Sequence, residues 1–410
     1  MAARRTAAPR RPEPLSETIL PAPHLLVAGA GIGGLTAAIA LARRGIAVTV
    51  IEKRPGFGEL GAGLQISPNA GRVLDGLDLT LPLKRVAVTA ERLSVRRWGS
   101  GREIGTMPMD VPDGSAPFRM AKRSDLHTVL LDAARAMPNI RLIVGRAVEA
   151  IEETGIGVTA TLVNAAGQPD MAKGLGIVGA DGLWSTVREA IGDRSAPDFT
   201  GYEAWRTVLP AGQNPRREVT LHLGRHGHAV HYPVAGGREI NLVILRPAET
   251  ARPGWSREGE ASDLLPHLAK ATPELRRLAE SAPGWQVWSL YDRPPAAMAK
   301  GRVALLGDAA HPILPFLAQG AAMAIEDAGV LARLLAEKLS QTGASGVAPA
   351  FAAYAAARRE RVAKVQQASR ANAKAYHLGW PLSLGRDFVM RRLGPAGMRA
   401  RYDWLYDWQD

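Results

Sequence analysis

Cysteine is absent from all 410 residues, which excludes disulfides, cysteine zinc sites and thiol nucleophiles. No run of 18 apolar residues occurs, so we predict no transmembrane helix. Blocks of five or six like charges are also absent, although 51 Lys and Arg against 39 Asp and Glu give a net charge of +12. A diffuse basic charge favours anionic ligands in general, but without a basic patch we expect no nucleic-acid partner.

The first 23 residues are rich in Arg, Ala and Pro and lack the apolar segment of a secretory signal. We predict that residues 1–23 form a disordered tail. An organelle transit peptide would share the scarcity of acids, but Glu13, Glu17 and the repeated prolines argue against it. The lack of cysteine is compatible with a reducing cytoplasm, and we expect a cytoplasmic protein.

A glycine-rich segment, GAGIGG at 29–34, predicts a nucleotide site. It follows a short apolar run typical of a strand and precedes an Ala- and Leu-rich stretch, up to Arg44, typical of a helix. In this pattern Gly29, Gly31 and Gly34 provide a tight turn, a close backbone approach to pyrophosphate, and close packing of helix against strand. The N–H groups and positive dipole end of the helix suit the phosphates.

Glu52 ends the next predicted strand, about twenty residues beyond the glycines. There its carboxylate is placed to bind an adenosine ribose and to repel a 2′-phosphate. The same glycine spacing recurs at 56–61 and 174–179, but neither copy has the strand, helix, strand and acid around it. We therefore assign the nucleotide site to the first copy. A glycine-rich turn in some other α/β protein is the alternative.

Helical and strand-like patterns divide the rest of the chain. Between Tyr202 and Val287, alternating apolar residues predict a mostly antiparallel sheet, and short apolar runs at about 86–118 predict further strands. Helical spacing returns near 261–280. The patterns predict these other helices: from about Asn69, over 125–137 with Ser124 as its cap, after Gly320, and over about 348–377.

Three signatures stand in order along the chain: GAGIGG with Glu52, GADGLWSTVR at 179–188, and GDAAHP at 307–312 followed by LPFLAQG at 314–320. Together they resemble single-component FAD-dependent aromatic hydroxylases of the salicylate and 3-hydroxybenzoate hydroxylase type, over about residues 24–408. The resemblance implies an α/β fold with a Rossmann-like FAD-binding domain, an interleaved β-rich substrate domain and C-terminal helices. It implies no second dinucleotide fold for NAD(P)H.

The domain boundaries follow from the resemblance and the patterns together. We predict an FAD-binding domain at 24–85, 118–192 and 291–340, a substrate domain at 86–117 and 193–290, and a C-terminal helical region at 341–410.

The resemblance also implies which residues hold FAD. Glu52 would bind the AMP ribose, Arg123 would reach the flavin, and Asp308 would hold the ribityl chain. Asp181 and Gly182 match a motif that serves both FAD and the arriving nicotinamide nucleotide. We expect tight, non-covalent FAD binding at these residues: Gly29, Gly31, Gly33, Gly34, Glu52, Lys53, Arg123, Asp181, Gly182, Arg188, Gly307, Asp308, Pro315, Gly320 and Ala321.

Simpler interpretations stand beside these assignments. Alone, Arg123 would be a solvent contact and the sequence Asp181-Gly182 an ordinary turn. His311 can hold its loop by hydrogen bonds or take part in the chemistry.

A helix that opens near Gly320 would direct N–H groups and a positive dipole end at the flavin, where they would stabilise its reduced, negatively charged form.

The segment HAVHYP at 228–233 resembles a family strand whose histidine and tyrosine face a phenolic substrate. The two-residue period of a strand places His228, Val230 and Tyr232 on one face. A neutral imidazole can accept a phenol proton, and we predict catalytic roles for His228, Tyr232 and Pro315. A structural, half-buried histidine is the alternative for His228. We expect no metal, because the neighbouring histidines have no cysteine or cluster of carboxylates beside them.

The resemblance implies that NADH or NADPH reduces FAD, that O2 forms a flavin C4a-hydroperoxide, and that one oxygen passes to an aromatic, phenolic or carboxylated substrate. One alternative is an epoxidase or oxidase of the same fold that acts on a larger natural product. Another is a basic binding protein with a fortuitous Rossmann turn. The choice of nicotinamide cofactor stays open, as does a monomer against a homodimer.

Overall fold

The computed structural model describes residues 24–58, 62–111, 116–251 and 256–410. The predicted tail at 1–23, and residues 59–61 of the second glycine copy, lie outside the described residues. In these ranges no helix combines the length and apolar character needed to cross a bilayer. The α-helices are α1 (Ile32–Ala42), α2 (Pro68–Gly76), α3 (Thr80–Val86), α4 (Arg123–Arg135), α5 (Val187–Ala190), α6 (Ala261–Leu264), α7 (Pro273–Glu280), α8 (Gly320–Thr342), α9 (Val347–Tyr376), α10 (Leu382–Ala400) and α11 (Asp403–Tyr406).

The strands form a six-stranded sheet, an eight-stranded sheet and two three-stranded sheets. They are β1 (His24–Ala28), β2 (Ala47–Glu52), β3 (Gly63–Ile66), β4 (Val88–Thr89), β5 (Arg92–Arg97), β6 (Glu103–Pro108), β7 (Arg119–Lys122), β8 (Ile140–Val144), β9 (Ala147–Glu153), β10 (Val158–Val163), β11 (Pro169–Gly174), β12 (Ile177–Gly179), β13 (Asp198–Pro210), β14 (Glu218–Gly224), β15 (Gly227–Val234), β16 (Glu239–Pro247), β17 (Arg257–Gly259), β18 (Trp285–Asp292), β19 (Ala299–Lys300) and β20 (Val303–Leu305).

The six-stranded sheet carries the predicted nucleotide turn. Its order is β19-β20-β12-β1-β2-β8, and all neighbours are parallel except β19 and β20. The central strands β1, β2, β12 and β20 are short apolar runs buried on both faces, as parallel strands covered by helices require. Helix α1 crosses from β1 to the parallel β2, which confirms the predicted strand, helix and strand. A Cβ on Gly33 would lie 2.7 Å from Leu306, so this glycine lets α1 pack closely.

The eight-stranded sheet has the order β17-β18-β13-β16-β15-β14-β5-β6. Every pair is antiparallel except β14 and β5, which confirms the mostly antiparallel prediction. Helices α6 and α7 cover one face, where Trp205, Ile244, Leu268 and Leu275 share a buried cluster. The helical pattern at 261–280 is interrupted, because Thr272 caps a new helix by accepting a hydrogen bond from the amide of Leu275.

The C-terminal helices lie over the other face of this sheet. Helix α10 packs on β6, where a Cβ on Gly105 would lie 3.3 Å from Met390. After α10 the chain returns to α2. There Arg72 donates a hydrogen bond of 2.6 Å to the carbonyl oxygen of Tyr406. Helices α8 and α9 agree with the two predicted long helices.

Helix α4 begins earlier than the sequence predicted. It spans Arg123–Arg135 with Lys122 at the N-cap, and no side chain caps it. The predicted Ser124 cap is wrong, because β7 runs directly into the helix and leaves Ser124 inside the first turn. Arg123 therefore belongs to the helix itself.

Candidate active site

The glycine turn lies at the carboxyl end of β1. A Cβ on Gly29, whose φ is +103°, would lie 2.4 Å from the carbonyl oxygen of Ala180. A Cβ on Gly34 would lie 1.9 Å from the carbonyl oxygen of Gly29, so both positions require glycine. Gly31 differs, because nothing lies within 4 Å of its missing Cβ. The turn thus holds open space beside the N–H groups of the first helical turn, as a pyrophosphate site requires.

Glu52 closes this turn from the neighbouring strand. Its carboxylate accepts hydrogen bonds of 2.9 Å from the amides of Ala30 and Arg54. Lys53, next to it, is exposed. These contacts fix the carboxylate beside the glycines, and the ribose contact of Glu52 stays a prediction, as does any FAD contact of Lys53.

The turn after β12 is held by its own side chains. The carboxylate of Asp181 accepts hydrogen bonds from the Ser185 hydroxyl at 2.5 Å and from the amides of Thr186 and Val187. Gly182 has a φ of +80° and open space around its missing Cβ. The roles of Asp181 and Gly182 toward FAD stay predictions.

Arg188 lies in the protein interior. Its guanidinium donates to Asp193 and to the carbonyl oxygens of Pro294 and Ala310, at 2.6 Å for Pro294. It therefore links the segment before β19 to the segment just after β20. Its predicted contact with FAD stays a prediction.

Buried charges anchor the loop between β20 and α8. Gly307, with a φ of +57°, donates its amide to Asp327, and His311 Nε2 lies 2.6 Å from the same carboxylate oxygen. Arg358 donates to the other oxygen at 2.7 Å. Burial raises the pKa of the Asp327 carboxyl, but His311 and Arg358 outweigh it and bring the pKa to about 2. These contacts support the structural role for His311.

Asp308 turns the opposite way, into a cavity. Its side chain is exposed to the cavity, but the protein around that cavity keeps bulk water away and raises the pKa of its carboxyl, while Arg123 and His311 oppose that shift. The missing Cβ of Gly320 would lie 4.0 Å from its Oδ1 atom. Among the described residues, none forms a hydrogen bond with this carboxylate, so it is available to a ligand.

The cavity has a volume of about 530 Å³ and lies between this loop, the eight-stranded sheet and the C-terminal helices. It brings together predicted residues from distant parts of the sequence. Those that line it are Arg123, His228, Tyr232, Asp308, Pro315, Gly320 and Ala321. The predicted phosphate and ribose residues lie at the glycine turn instead. A dinucleotide that spans the two places would fit that division.

The sheet wall of the cavity is apolar except for a few groups. The alternation along β15 places His228, Val230 and Tyr232 on it, as predicted. Burial and the neighbouring His377 lower the pKa of His228 to about 3. Burial also raises the pKa of Tyr232. Both side chains are therefore neutral at ordinary pH, so that the imidazole can accept a proton and the phenol can donate a hydrogen bond.

Comparison with known sequences identifies the family. The family described as "FAD binding domain" matches residues 23–369. The chain belongs to it. This FAD-dependent flavoprotein is 33% identical over 392 residues to 3-hydroxybenzoate 6-hydroxylase 1 of Aquipseudomonas alcaligenes, over 93% of this chain and 97% of that protein. It is 36% identical to 3-amino-4-hydroxybenzoate 2-monooxygenase of Streptomyces cremeus, over 93% of this chain and 94% of that protein.

A solved structure agrees with this family assignment. Klebsiella pneumoniae HpxO complexed with FAD and uric acid superposes with a TM-score of 0.77 at 25% identity, and the match covers 90% of this chain and 93% of that one. The resemblance inferred from the motifs is thereby confirmed. The flavoprotein is an aromatic FAD-dependent monooxygenase of the single-component hydroxylase family.

The residues present fit FAD. Gly31 leaves a cradle that a Cβ would fill, and Asp308 presents a carboxylate to the cavity. Helix α8 begins at Gly320 with no acidic residue in its first turn and no side-chain cap, so its N–H groups are free to face an electron-rich ring. The cradle at Gly31 and the N–H groups of α8 are parts of the backbone, and Asp308 supplies the one side chain among these features.

Sequence reasoning missed Arg206 on β13. Its side chain lines the cavity, with its guanidinium carbon 5.1 Å from the centroid of the Trp288 ring. Among the described residues no carboxylate pairs with it, and its Nε atom is buried without a hydrogen bond. Burial lowers its pKa. Arg206 is half-buried, and removing a cation from water without pairing it is costly, so an anionic ligand in the cavity would stabilise it.

The C-terminal helices supply the remaining wall, which the sequence predicted only as a cover for the flavin domain or a partner subunit. The two-residue period of a strand could not have revealed this wall, because its residues come from helices and from the terminal aromatic run. They are Tyr376, Arg386, Met390, Met398, Arg401, Tyr402 and Tyr406.

Proposed function

We propose that the chain uses NADH or NADPH and O2 to hydroxylate a small aromatic acid that carries a phenolic hydroxyl. FAD, when bound, supplies the redox chemistry that activates oxygen. The relatives named for hydroxybenzoates support this substrate class. The observation that carries it is Arg206, a half-buried cation on a mostly apolar wall that pairs with no carboxylate of the described residues.

Each group of the wall has a distinct part in this proposal. Arg206 binds the substrate carboxylate through charge-assisted hydrogen bonds. His228 accepts the phenolic proton, which makes the ring a better nucleophile, and Tyr232 donates a hydrogen bond to the substrate. The apolar side chains hold the ring and exclude water. Pro315 positions the loop that faces the ring.

The predicted FAD contacts belong to the same proposal. The glycine turn and Glu52 would hold the pyrophosphate and ribose, and Arg123 and Asp308 would hold the flavin half. The domain boundaries predicted above, with substrate segments at 86–117 and 193–290, remain part of it.

A substrate panel tests the proposal. The flavin-loaded protein is given NADH or NADPH with hydroxybenzoates, with a phenol that lacks the carboxylate and with benzoate, which lacks the hydroxyl. We expect incorporation of ¹⁸O from ¹⁸O2 into product only where both groups are present. His228→Gln should lower product formation by about 10²-fold or more without loss of FAD.

Other outcomes would contradict it. Peroxide release without hydroxylated product from every phenolic acid would exclude the proposed reaction, and turnover of a larger natural product would favour the epoxidase or oxidase. Equal loss of FAD and of activity in His228→Gln would mean that this histidine is structural.

A further inference from the structure

Two histidines that lie 149 residues apart in sequence meet beside the cavity. The Nδ1 atom of His228 lies 3.1 Å from the Nε2 atom of His377. His377 follows the last residue of α9 and stacks on Tyr202, with ring centroids 5.0 Å apart and planes 18° apart. Two ring nitrogens at this distance share one proton, so one ring donates and the other accepts.

The two rings differ in their exposure. His228 lines the cavity and is only 2% exposed. His377 is partly exposed, and it does not belong to the cavity wall that the described residues form. The pair therefore connects the cavity to a ring that solvent reaches in part.

We propose that His377 is a positioning and relay residue that passes the substrate's phenolic proton from His228 to solvent. This inference rests on the proposed function. His377 fixes the tautomer of His228 with the proton on Nδ1, which leaves the lone pair of Nε2 free to accept. It then gives the proton a way out of the cavity.

The proton transfers balance. His228 Nε2 takes the phenolic proton as the O–H bond breaks, and His228 Nδ1 gives its own proton to His377 Nε2. His377 then loses its Nδ1 proton to water. One proton reaches solvent for each phenolate formed, and neither ring stays charged. The reverse sequence returns a proton to the product oxygen.

The surroundings of the pair explain why a relay helps. Burial and the neighbouring His377 lower the pKa of His228 to about 3, and burial lowers the pKa of His377 to about 4. Neither ring can therefore hold a second proton, and so stay an imidazolium, at neutral pH. Tyr202 and Tyr376 pack against the rings, and no carboxylate of the described residues hydrogen-bonds to either. Transfer to water, with the phenolate near the charge of Arg206, removes the need for a buried imidazolium.

A coloured ligand tests the relay without turnover. The flavin-loaded protein is mixed in stopped flow with 3-hydroxy-4-nitrobenzoate below the pKa of its phenol, and the absorbance of the nitrophenolate reports ionisation. We expect His377→Ala to slow ionisation by about 10²-fold while FAD content and ligand affinity are kept. Added imidazole should restore the rate. The glutamine in His377→Gln can hydrogen-bond to His228 but cannot pass a proton onward. This variant should bind the nitrophenol normally and still ionise it slowly.

A matched control lies on the other face of the same sheet. His231 forms a similar pair with His222, at 3.3 Å, outside the cavity. His231→Gln should leave the ionisation rate unchanged. Normal ionisation in both His377 variants would overturn the relay, as would slowing that imidazole leaves in place. If His377→Ala does not fold, His377→Gln decides alone. Failure of the proposed function would instead appear as a wild-type protein that ionises the nitrophenol yet hydroxylates no phenolic acid.

Discussion

The two candidate ligand sites of this protein are built in opposite ways. The glycine turn on the six-stranded sheet is made of backbone, and its Gly31 leaves an empty space beside free N–H groups. The wall on the eight-stranded sheet is made of side chains, with His228, Tyr232 and Arg206 set among apolar residues. A substitution therefore acts at the turn through the atoms it adds, and at the wall through the atoms it removes.

The largest effect is expected at the turn. Gly34→Ala places a Cβ 1.9 Å from the carbonyl oxygen of Gly29, and neither backbone can yield without moving α1 from β1. We expect a cost of about 3 kcal/mol or more and a loss of FAD affinity of at least about 100-fold. Thermal unfolding of the apoprotein and flavin absorbance after reconstitution measure the two parts.

Gly31→Ala is the control for this prediction, since its Cβ meets no protein atom within 4 Å. It should leave the stability of the apoprotein unchanged and still weaken FAD binding, because the methyl group occupies the space assigned to the pyrophosphate. Full FAD affinity in Gly31→Ala would contradict the placement of the phosphates at this turn.

At the wall, Arg206→Gln removes the cation. A charged hydrogen bond contributes about 1.5–3 kcal/mol, so the dissociation constant of a hydroxybenzoate should rise about tenfold to hundredfold. The thermal stability of the free protein should be unchanged or higher, because the variant removes a half-buried cation that pairs with no carboxylate of the described residues. Ligand titration followed by flavin fluorescence measures the affinity.

A phenol that lacks the carboxylate is the matched ligand for Arg206→Gln, and its affinity should change little. If the variant loses affinity for both ligands equally, Arg206 maintains the shape of the wall and does not bind the carboxylate.

The effect that is smallest at neutral pH is expected on the opposite face of β15. Burial lowers the pKa of His231 to about 4, so below the ordinary histidine pKa of 6.5 the unfolded chain binds a proton that the folded chain does not. Stability therefore falls as pH falls from about 6.5 toward 4, by at most about 1.4 kcal/mol per pH unit for this residue. His231→Gln should flatten that slope in urea unfolding at several pH values and leave catalysis unchanged. An unchanged slope would mean that His231 is protonated in the folded protein.

Much of this architecture could be predicted from local patterns. The β1–α1–β2 unit, the antiparallel sheet and the common face of His228, Val230 and Tyr232 follow from periods of 3.6 and 2 residues. The Ser124 cap was wrong, because cap chemistry alone does not reveal that a strand continues into the helix. Arg206 was missed since a single arginine in a strand has no local signal of its face or its partners.

What the sequence determined by itself is the chemistry that short-range geometry enforces: glycines where a Cβ would strike backbone, and alternating faces along a strand. The tertiary structure alone decided which distant groups share one cavity. His377 reaches His228 across 149 residues because α9 ends above β15, and Arg206 pairs with no carboxylate of the described residues because the side chains around it are mostly apolar. The pairing of a group, or its absence, depends on the whole fold, since charge and hydrogen bonding act through space and not along the chain.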